Sequence, residues 1–469
     1  MSDAPAVLEP GPRDVSASEE VAPSPIDEQF LAVGSLRVLQ RAALALTVQV
    51  VGAGLSYGVQ VLLARLLGTS HYGVYAYVLV WVTFASLIAG LGFPAASVRF
   101  LPVYAVTEDW ARLRGFKRTT SKITFATGIA AALCGLAAAE ALHISGLLRD
   151  PTLVVLGALL VPALAASTLY TEFARAGGRM GSAFVPALIV RPSLIAIGVA
   201  GIFVLHGSLS ASAALCSTLA VGYVVLVVQY TLTRGLFKSA EPEHGVVVEL
   251  REWFAVGWPL LAAGAFTITL MQVDIVVVGA LRGSQAAGIY AAASKTATLV
   301  TFVLLAVNAA AAPQFASLWA LGRIDDLQRL LTRMASVIFW PSLAISVGLA
   351  LLSEPILGLF GPGFHKARWV LLVLLTSQLV NAAAGSVGCL LNVTGHHREA
   401  SLALGWSALA CVVLAIAGAW AFGVIGAALA SMLGCALWNG SLSWLVARKL
   451  GVQASIFGML RRPEGVALR

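Results

Sequence analysis

Apolar segments of about twenty residues succeed one another along nearly the whole chain, separated by short polar connections. Each is long enough to cross the roughly 30 Å hydrocarbon core of a bilayer as a helix. Twelve such segments lie near residues 42–67, 73–97, 121–142, 151–171, 183–205, 210–233, 254–281, 286–313, 334–352, 368–392, 401–421 and 424–447. In lipid every backbone N–H and C=O must find its partner inside the protein, which leaves helices or a closed barrel. The segments lack the alternation of a barrel strand, so helices are expected. Only 11% of the 469 residues are charged and 59% are hydrophobic, whereas about a quarter of a soluble domain is charged. The expected fold class is an all-α polytopic membrane protein with about 12 transmembrane helices.

The distribution of charge sets an orientation. Cytoplasmic loops of membrane proteins are enriched in Lys and Arg. With the N-terminus inside, 23 of the 30 basic residues fall in the inner connections and tails, and five (Arg65, Arg149, Arg282, Lys366 and Arg368) fall outside. Arg191 and Lys295 lie within spans. The net charge of +8 thus reads as membrane orientation and not as nucleic-acid binding. Multi-pass membrane insertion with both termini cytoplasmic is the expected orientation. The five cysteines have no paired spacing and read as buried small side chains. Gly54 and Gly58 form a Gly-xxx-Gly pair, read as a helix-packing face.

One stretch recurs. Residues 66–76 (Leu-Leu-Gly-Thr-Ser-His-Tyr-Gly-Val-Tyr-Ala) match residues 281–291 (Leu-Arg-Gly-Ser-Gln-Ala-Ala-Gly-Ile-Tyr-Ala) at an offset of 215. The segment beginning Glu108-Asp109 recurs at Asp325-Asp326, and Gly177-Gly178-Arg179 recurs at Gly395-His396-His397-Arg398. The first pair reads as short amphipathic cytoplasmic helices, with acids favoured in the first turn. Six spans per copy is an even number, so the copies stand the same way up, related by an axis along the membrane normal. Two parallel six-helix bundles around a central cavity is a transporter plan. The expected division is a disordered cytoplasmic tail over 1–29, a first bundle over 30–238, a linker over 239–252, a second bundle over 253–449 and a basic tail over 450–469. Residues 30–41 mix Leu and Phe with Arg37 and Arg41 and read as an interfacial helix.

No nucleotide-binding loop and no metal-spaced His/Cys cluster is present, so an enzyme, a cofactor and a metal site are not expected. Three ionisable residues lie deep in spans: Arg191, Asp274 and Lys295. Each costs roughly 2.5–3.5 kcal/mol at the bilayer centre, so each needs a reason to be there. Asp274 and Lys295 are equidistant from the turn near Ser284 and Gln285 and would share one depth in an antiparallel helix pair. Two readings stand. They form an ion pair locking two helices, or Lys295 binds an anionic headgroup while Asp274 holds it or carries a coupling ion. Arg191 precedes Pro192, which frees a carbonyl and can kink the helix; its long side chain either snorkels or faces the cavity mouth. Gln60, Gln272 and Asn308 are intramembrane amides suited to interhelical hydrogen bonds or to lining a cavity.

Ala64-Arg65-Leu66-Leu67-Gly68, Tyr72-Gly73, Gly90-Leu91-Gly92 and Val98-Arg99 resemble the opening pattern of the Wzx-type polysaccharide-biosynthesis flippases, in the multidrug/oligosaccharidyl-lipid/polysaccharide (MOP) exporter superfamily. Pro259-Leu260, Asp274, Gly288-Ile289-Tyr290, Pro313 and Leu359-Phe360-Gly361-Pro362 continue the resemblance through the second half. It implies a MATE-like pair of bundles with a cationic cavity. It also implies a substrate, a polyprenyl-pyrophosphate-linked oligosaccharide, flipped from the inner to the outer leaflet, and partners among membrane lipids, polysaccharide polymerases and glycosyltransferases. Two rival functions remain: a small-molecule antiporter, and a scaffold recruiting assembly enzymes through the tail.

Overall fold

The computed structural model describes residues 25–145, 150–237 and 245–456, with side chains from Thr47 on and His397 excepted. The expected tail over 1–29 lies outside these except for residues 25–29, and so do the first half of the linker and most of the basic tail. Residues 30–41 are helical in backbone, and whether they form an interfacial helix rests on side chains outside the description. Contacts separate a unit Met1–Ala43 from the body Leu44–Arg469, and the body alone is treated below.

Ten helices of the body are long and apolar enough to cross a membrane. Two of them, Thr47–Ala89 and Arg398–Leu450, are each broken by one glycine in a non-helical conformation, Gly68 and Gly423. Each therefore makes two spans, and the ten are twelve. In order, the first and second spans are residues 47–67 and 69–89. The third to tenth are Trp110–Ile144, Thr152–Ala176, Met180–His206, Ala211–Thr233, Leu250–Arg282, Ser284–Ala320, Ile324–Leu351 and Phe364–Ala384. The eleventh and twelfth are residues 398–422 and 424–450. No strand occurs among the described residues.

The duplication is written into the backbone. Residues with left-handed φ recur at nearly constant offset: Gly68 (70°) with Gly283 (84°), Glu108 (55°) with Gly322 (68°), Gly178 (70°) with Gly395 (83°), Gly207 (71°) with Gly423 (66°), and Phe237 (59°) with Gly451 (67°). Each pair ends or begins equivalent spans of the two halves. Backbone of this kind suits glycine because it has no Cβ to clash. The two acidic landmarks differ from expectation. They form no separate helices: Asp109 is the N-cap of the third span, accepting from the Arg112 N–H at 3.0 Å, and Asp325 and Asp326 open the ninth. The second span also stops early, at Ala89, and Gly92 turns the chain into a short helix, Phe93–Val106.

The halves cross at repeat-equivalent glycines. A β-carbon on Gly73 would stand 1.8 Å from the Ser284 carbonyl oxygen, and one on Gly288 would stand 2.0 Å from that of Thr69. Such reciprocity is what a two-fold axis between the bundles demands. The Ser70 and Ser284 hydroxyls meet there at 3.0 Å. Below the crossing, the loop of the second half that carries Gly361 and Gly363 packs on the first span. Phe360 stacks edge-on against Tyr57 at 5.8 Å and Phe364 against Tyr72 at 6.0 Å, and Tyr72, Phe360 and Phe364 are fully buried. This end of the molecule is sealed by apolar packing.

At the opposite end, rich in Lys and Arg, the seventh span is anchored to the first half. Trp253 is fully buried among Phe93, Phe100, Phe116 and Phe173, and its indole N–H donates to the Tyr104 hydroxyl at 3.1 Å. A β-carbon on Gly92 would fall 1.9 Å from the Gly257 carbonyl oxygen. Farther along, the seventh span packs on the eleventh and twelfth, so one helix ties the two bundles together. The Gly54–Gly58 pair is not a packing face: a β-carbon at either meets nothing within 4 Å. The close helix contact in that span is at Gly52, against Leu188 of the fifth. Nor are all cysteines buried; Cys134 and Cys216 are exposed on the helix surface.

Candidate functional site

Asp274 sits on the seventh span, 5% exposed. A buried carboxylate is tolerated only when its oxygens are hydrogen-bonded. Here Oδ1 accepts from the Ile275 N–H at 2.9 Å, while Oδ2 accepts from the Tyr290 hydroxyl of the eighth span and from the Ser431 hydroxyl of the twelfth at 3.0 Å. The two hydroxyl oxygens are also 3.1 Å apart. This arrangement accommodates two protonation states. When the carboxylate is ionised, both hydroxyl protons point at it. When it carries a proton, it donates to one hydroxyl, and that one turns to the other across the 3.1 Å contact. Tyr290 and Ser431 were not among the sequence candidates; the recurrence of Gly288-Ile289-Tyr290 is the signal that pointed to the first of them.

Asp274 and Lys295 form no ion pair. They lie within electrostatic reach, but the carboxylate is held by hydroxyls and the Lys295 ammonium makes no hydrogen bond or salt bridge with the described residues. Lys295 lies eleven residues into the eighth span, a rise of about 16 Å and thus near mid-membrane. It is partly exposed. The next residue, Thr296, bonds the Tyr57 hydroxyl of the first span at 3.2 Å, so Lys295 adjoins a contact between bundles. Gln60, on the same span as Tyr57, accepts from the Tyr72 hydroxyl at 2.9 Å. Gln272 is partly exposed, two residues before Asp274. Asn308 has a buried Oδ1 without a hydrogen-bond partner among the described residues.

Arg191 belongs elsewhere. It follows a π-helical turn, Pro186–Val190, in the fifth span. Such turns place an extra residue in the helix and commonly mark functional positions. Pro192 follows this turn, and the carbonyl that its missing N–H leaves free, that of Leu188, lies within it. The Arg191 side chain lines a cavity of about 430 Å³ bounded by the second, fourth, fifth and seventh spans and the start of the short helix. Glu172 and Arg175 line the same space, joined by an ion pair of 3.0 Å. Sequence reasoning passed over both because they lie near the end of the fourth span. The six sequence candidates therefore fall in four places: Asp274 and neighbouring Gln272 in the second bundle, Lys295 and Gln60 beside the seam, Arg191 in the cavity between the first-half spans and the seventh, and Asn308 apart.

Residues 38–319 match the family described as polysaccharide biosynthesis protein. The chain belongs to that family. No curated protein sequence matches it. Solved structures extend the fold assignment. A MATE-family multidrug resistance transporter of the MOP superfamily in an inward-facing conformation is 15% identical with a TM-score of 0.66, covering 85% of this chain and 94% of its own. The outward-facing form of such a transporter gives 15% and 0.61, covering 86% and 95%. A MOP superfamily transporter from Pyrococcus furiosus, whose binding pocket is described as reversed in polarity, gives 14% and 0.60, covering 87% and 94%. At these identities the likeness establishes the fold: the chain is a multi-pass membrane protein with the two-bundle MATE architecture.

Proposed function

We propose that the protein flips a polyprenyl-pyrophosphate-linked oligosaccharide from the inner to the outer leaflet by alternating access, for surface polysaccharide synthesis. The observation that carries this is the family match over a chain whose bundles are sealed at one end by Phe360, Phe364, Tyr57 and Tyr72 and which holds Arg191 in a cavity between the second, fourth, fifth and seventh spans. A sugar–phosphate head cannot cross some 30 Å of hydrocarbon unaided. Cations near mid-membrane offset the desolvation of phosphate, and Arg191 and Lys295 supply them. Asp274, with its two hydroxyls, would carry the coupling proton, since its cluster accommodates both protonation states. The basic end would face the cytoplasm of a bacterial cell, with both termini inside. The first bundle would span 30–238 and the second 253–449. A polymerase or glycosyltransferases would act on the product.

The decisive test is flipping of a fluorescent polyprenyl-pyrophosphate saccharide by purified protein in vesicles. Arg191→Ala and Lys295→Ala are each expected to cut the rate at least about tenfold, or about 1.4 kcal/mol, with normal protein level. Full activity in both would remove these cations from the substrate path. A second reading, a small-molecule antiporter, gains from Glu172, an acid of the first half that lines the same cavity as Arg191. Efflux of a cationic dye that depends on Glu172, without saccharide flipping, would establish it.

A further inference from the structure

A further cavity lies away from both candidate regions, at the basic end of the first bundle. Its volume is about 630 Å³. The fourth span packs against both the third and the sixth and forms the floor between them. Arg114, Lys117, Arg118, Lys122 and Arg234 line it, and no carboxylate does among the described residues. Lys117, Arg118, Lys122 and Arg234 share one space, and like charges placed so favour an anion among them. The cavity is also aromatic: Tyr170 and Phe173 rise from the floor and Tyr230 from the sixth span. Lys117 is fixed in place, donating to the Leu236 carbonyl oxygen at 2.9 Å with its ammonium 5.7 Å from the centre of the Phe237 ring.

Both walls continue as apolar surface. On the third span Arg118 and Lys122 are followed, at helical spacing, by Phe125 (44% exposed), Ile129 (41%) and Leu133 (60%). On the sixth, Arg234 is preceded by Tyr230 (49%), Val227 (59%) and Val224 (49%). A cationic pocket where two helices leave the headgroup zone, with exposed hydrocarbon-facing side chains directly above it, matches one ligand shape: a phosphate head carrying acyl chains. Basic pockets between spans at the positive face of membrane proteins favour anionic lipids, with Lys and Arg adding to the attraction.

We propose that this cavity is a binding site for an anionic phospholipid of the leaflet at the basic end of the protein, its phosphate held by Lys117, Arg118, Lys122 and Arg234. The site is independent of the transported substrate and stands whether or not the flippase reading holds. It would fix the third and sixth spans to the leaflet while the bundles move.

The test uses the full chain in detergent, with native mass spectrometry and thermal unfolding against added phosphatidylglycerol, phosphatidylcholine, farnesyl pyrophosphate and inorganic phosphate. The expected result is retention of phosphatidylglycerol over phosphatidylcholine and a rise in Tm with the anionic lipid alone. Lys117→Ala/Arg118→Ala/Lys122→Ala should weaken retention about 100-fold. Arg329→Ala/Arg333→Ala, which removes basic residues from the ninth span at the same end, should leave it unchanged. If the triple variant is poorly folded, the single variants Arg118→Gln and Lys122→Gln, both at exposed positions, should each weaken retention. Equal retention of the two phospholipids, or loss in the ninth-span variant as well, overturns the site. Preference for farnesyl pyrophosphate assigns the cavity to substrate loading, and stabilisation by inorganic phosphate alone assigns it to a soluble anion; either overturns the phospholipid assignment.

Discussion

Tyr75 and Tyr290 occupy the same place in the two halves, 215 residues apart, and both are buried. Tyr75 reaches the sixth span and meets the Thr218 hydroxyl at 3.0 Å; Tyr290 reaches the twelfth and meets Ser431 at 3.1 Å. The difference is opposite them. The residue equivalent to Asp274 in the first half is Val59, buried in the apolar core. One scaffold thus carries a neutral hydroxyl pair in one copy and a titratable cluster in the other. Duplication supplies the geometry of a site, and a single residue decides whether that geometry can hold a proton.

The scaffold should be equal in the two halves even though the chemistry is not. Gly73→Val and Gly288→Val each drive a side chain into a backbone carbonyl of the other bundle. Both are expected to destabilise the protein by at least about 3 kcal/mol, at the upper end of overpacking costs, seen as lost membrane protein and lower Tm. Gly54→Ala and Gly58→Ala, which meet open space, should stay within about 0.5 kcal/mol. A large effect at only one of the crossing glycines would break the symmetry.

Asp274→Asn should separate the halves by function. Transport is expected to fall at least about tenfold, or about 1.4 kcal/mol, with protein level retained, because the amide keeps the shape of the cluster but cannot exchange a proton. Retained transport would reduce Asp274 to a structural acceptor. The tyrosines compare the halves by stability. Tyr290→Phe removes a donor from a buried carboxylate and should cost about 1.5–3 kcal/mol, while Tyr75→Phe removes a neutral hydrogen bond worth about 1 kcal/mol. Thermal unfolding of the two variants measures the gap, and equal costs would mean that Asp274 is neutral in the folded protein.

Most of the architecture follows from one-dimensional information. Lipid leaves a long apolar segment no choice but to be a helix, so counting segments yields the twelve spans. The recurrence of Gly68 and Gly73 at Gly283 and Gly288 yields the duplication, because a turn that needs positive φ keeps Gly68 and Gly283 and a crossing with no room for a β-carbon keeps Gly73 and Gly288. The deep position of Asp274, Lys295 and Arg191 is legible for the same reason, since a charge stands out in an apolar run. Which groups these charges meet is not legible. Ser431 lies 157 residues from Asp274, and nothing local in either helix encodes their approach. Symmetry about the turn suggested that Asp274 and Lys295 pair, but rotation of the two helices about their axes turns the carboxylate to Tyr290 and Ser431 and leaves the lysine beside the seam. The same holds for the five cations of the third and sixth spans. Their sequence shows only which face of the membrane they occupy; the fourth span, packed between those helices, makes them the wall of one cavity.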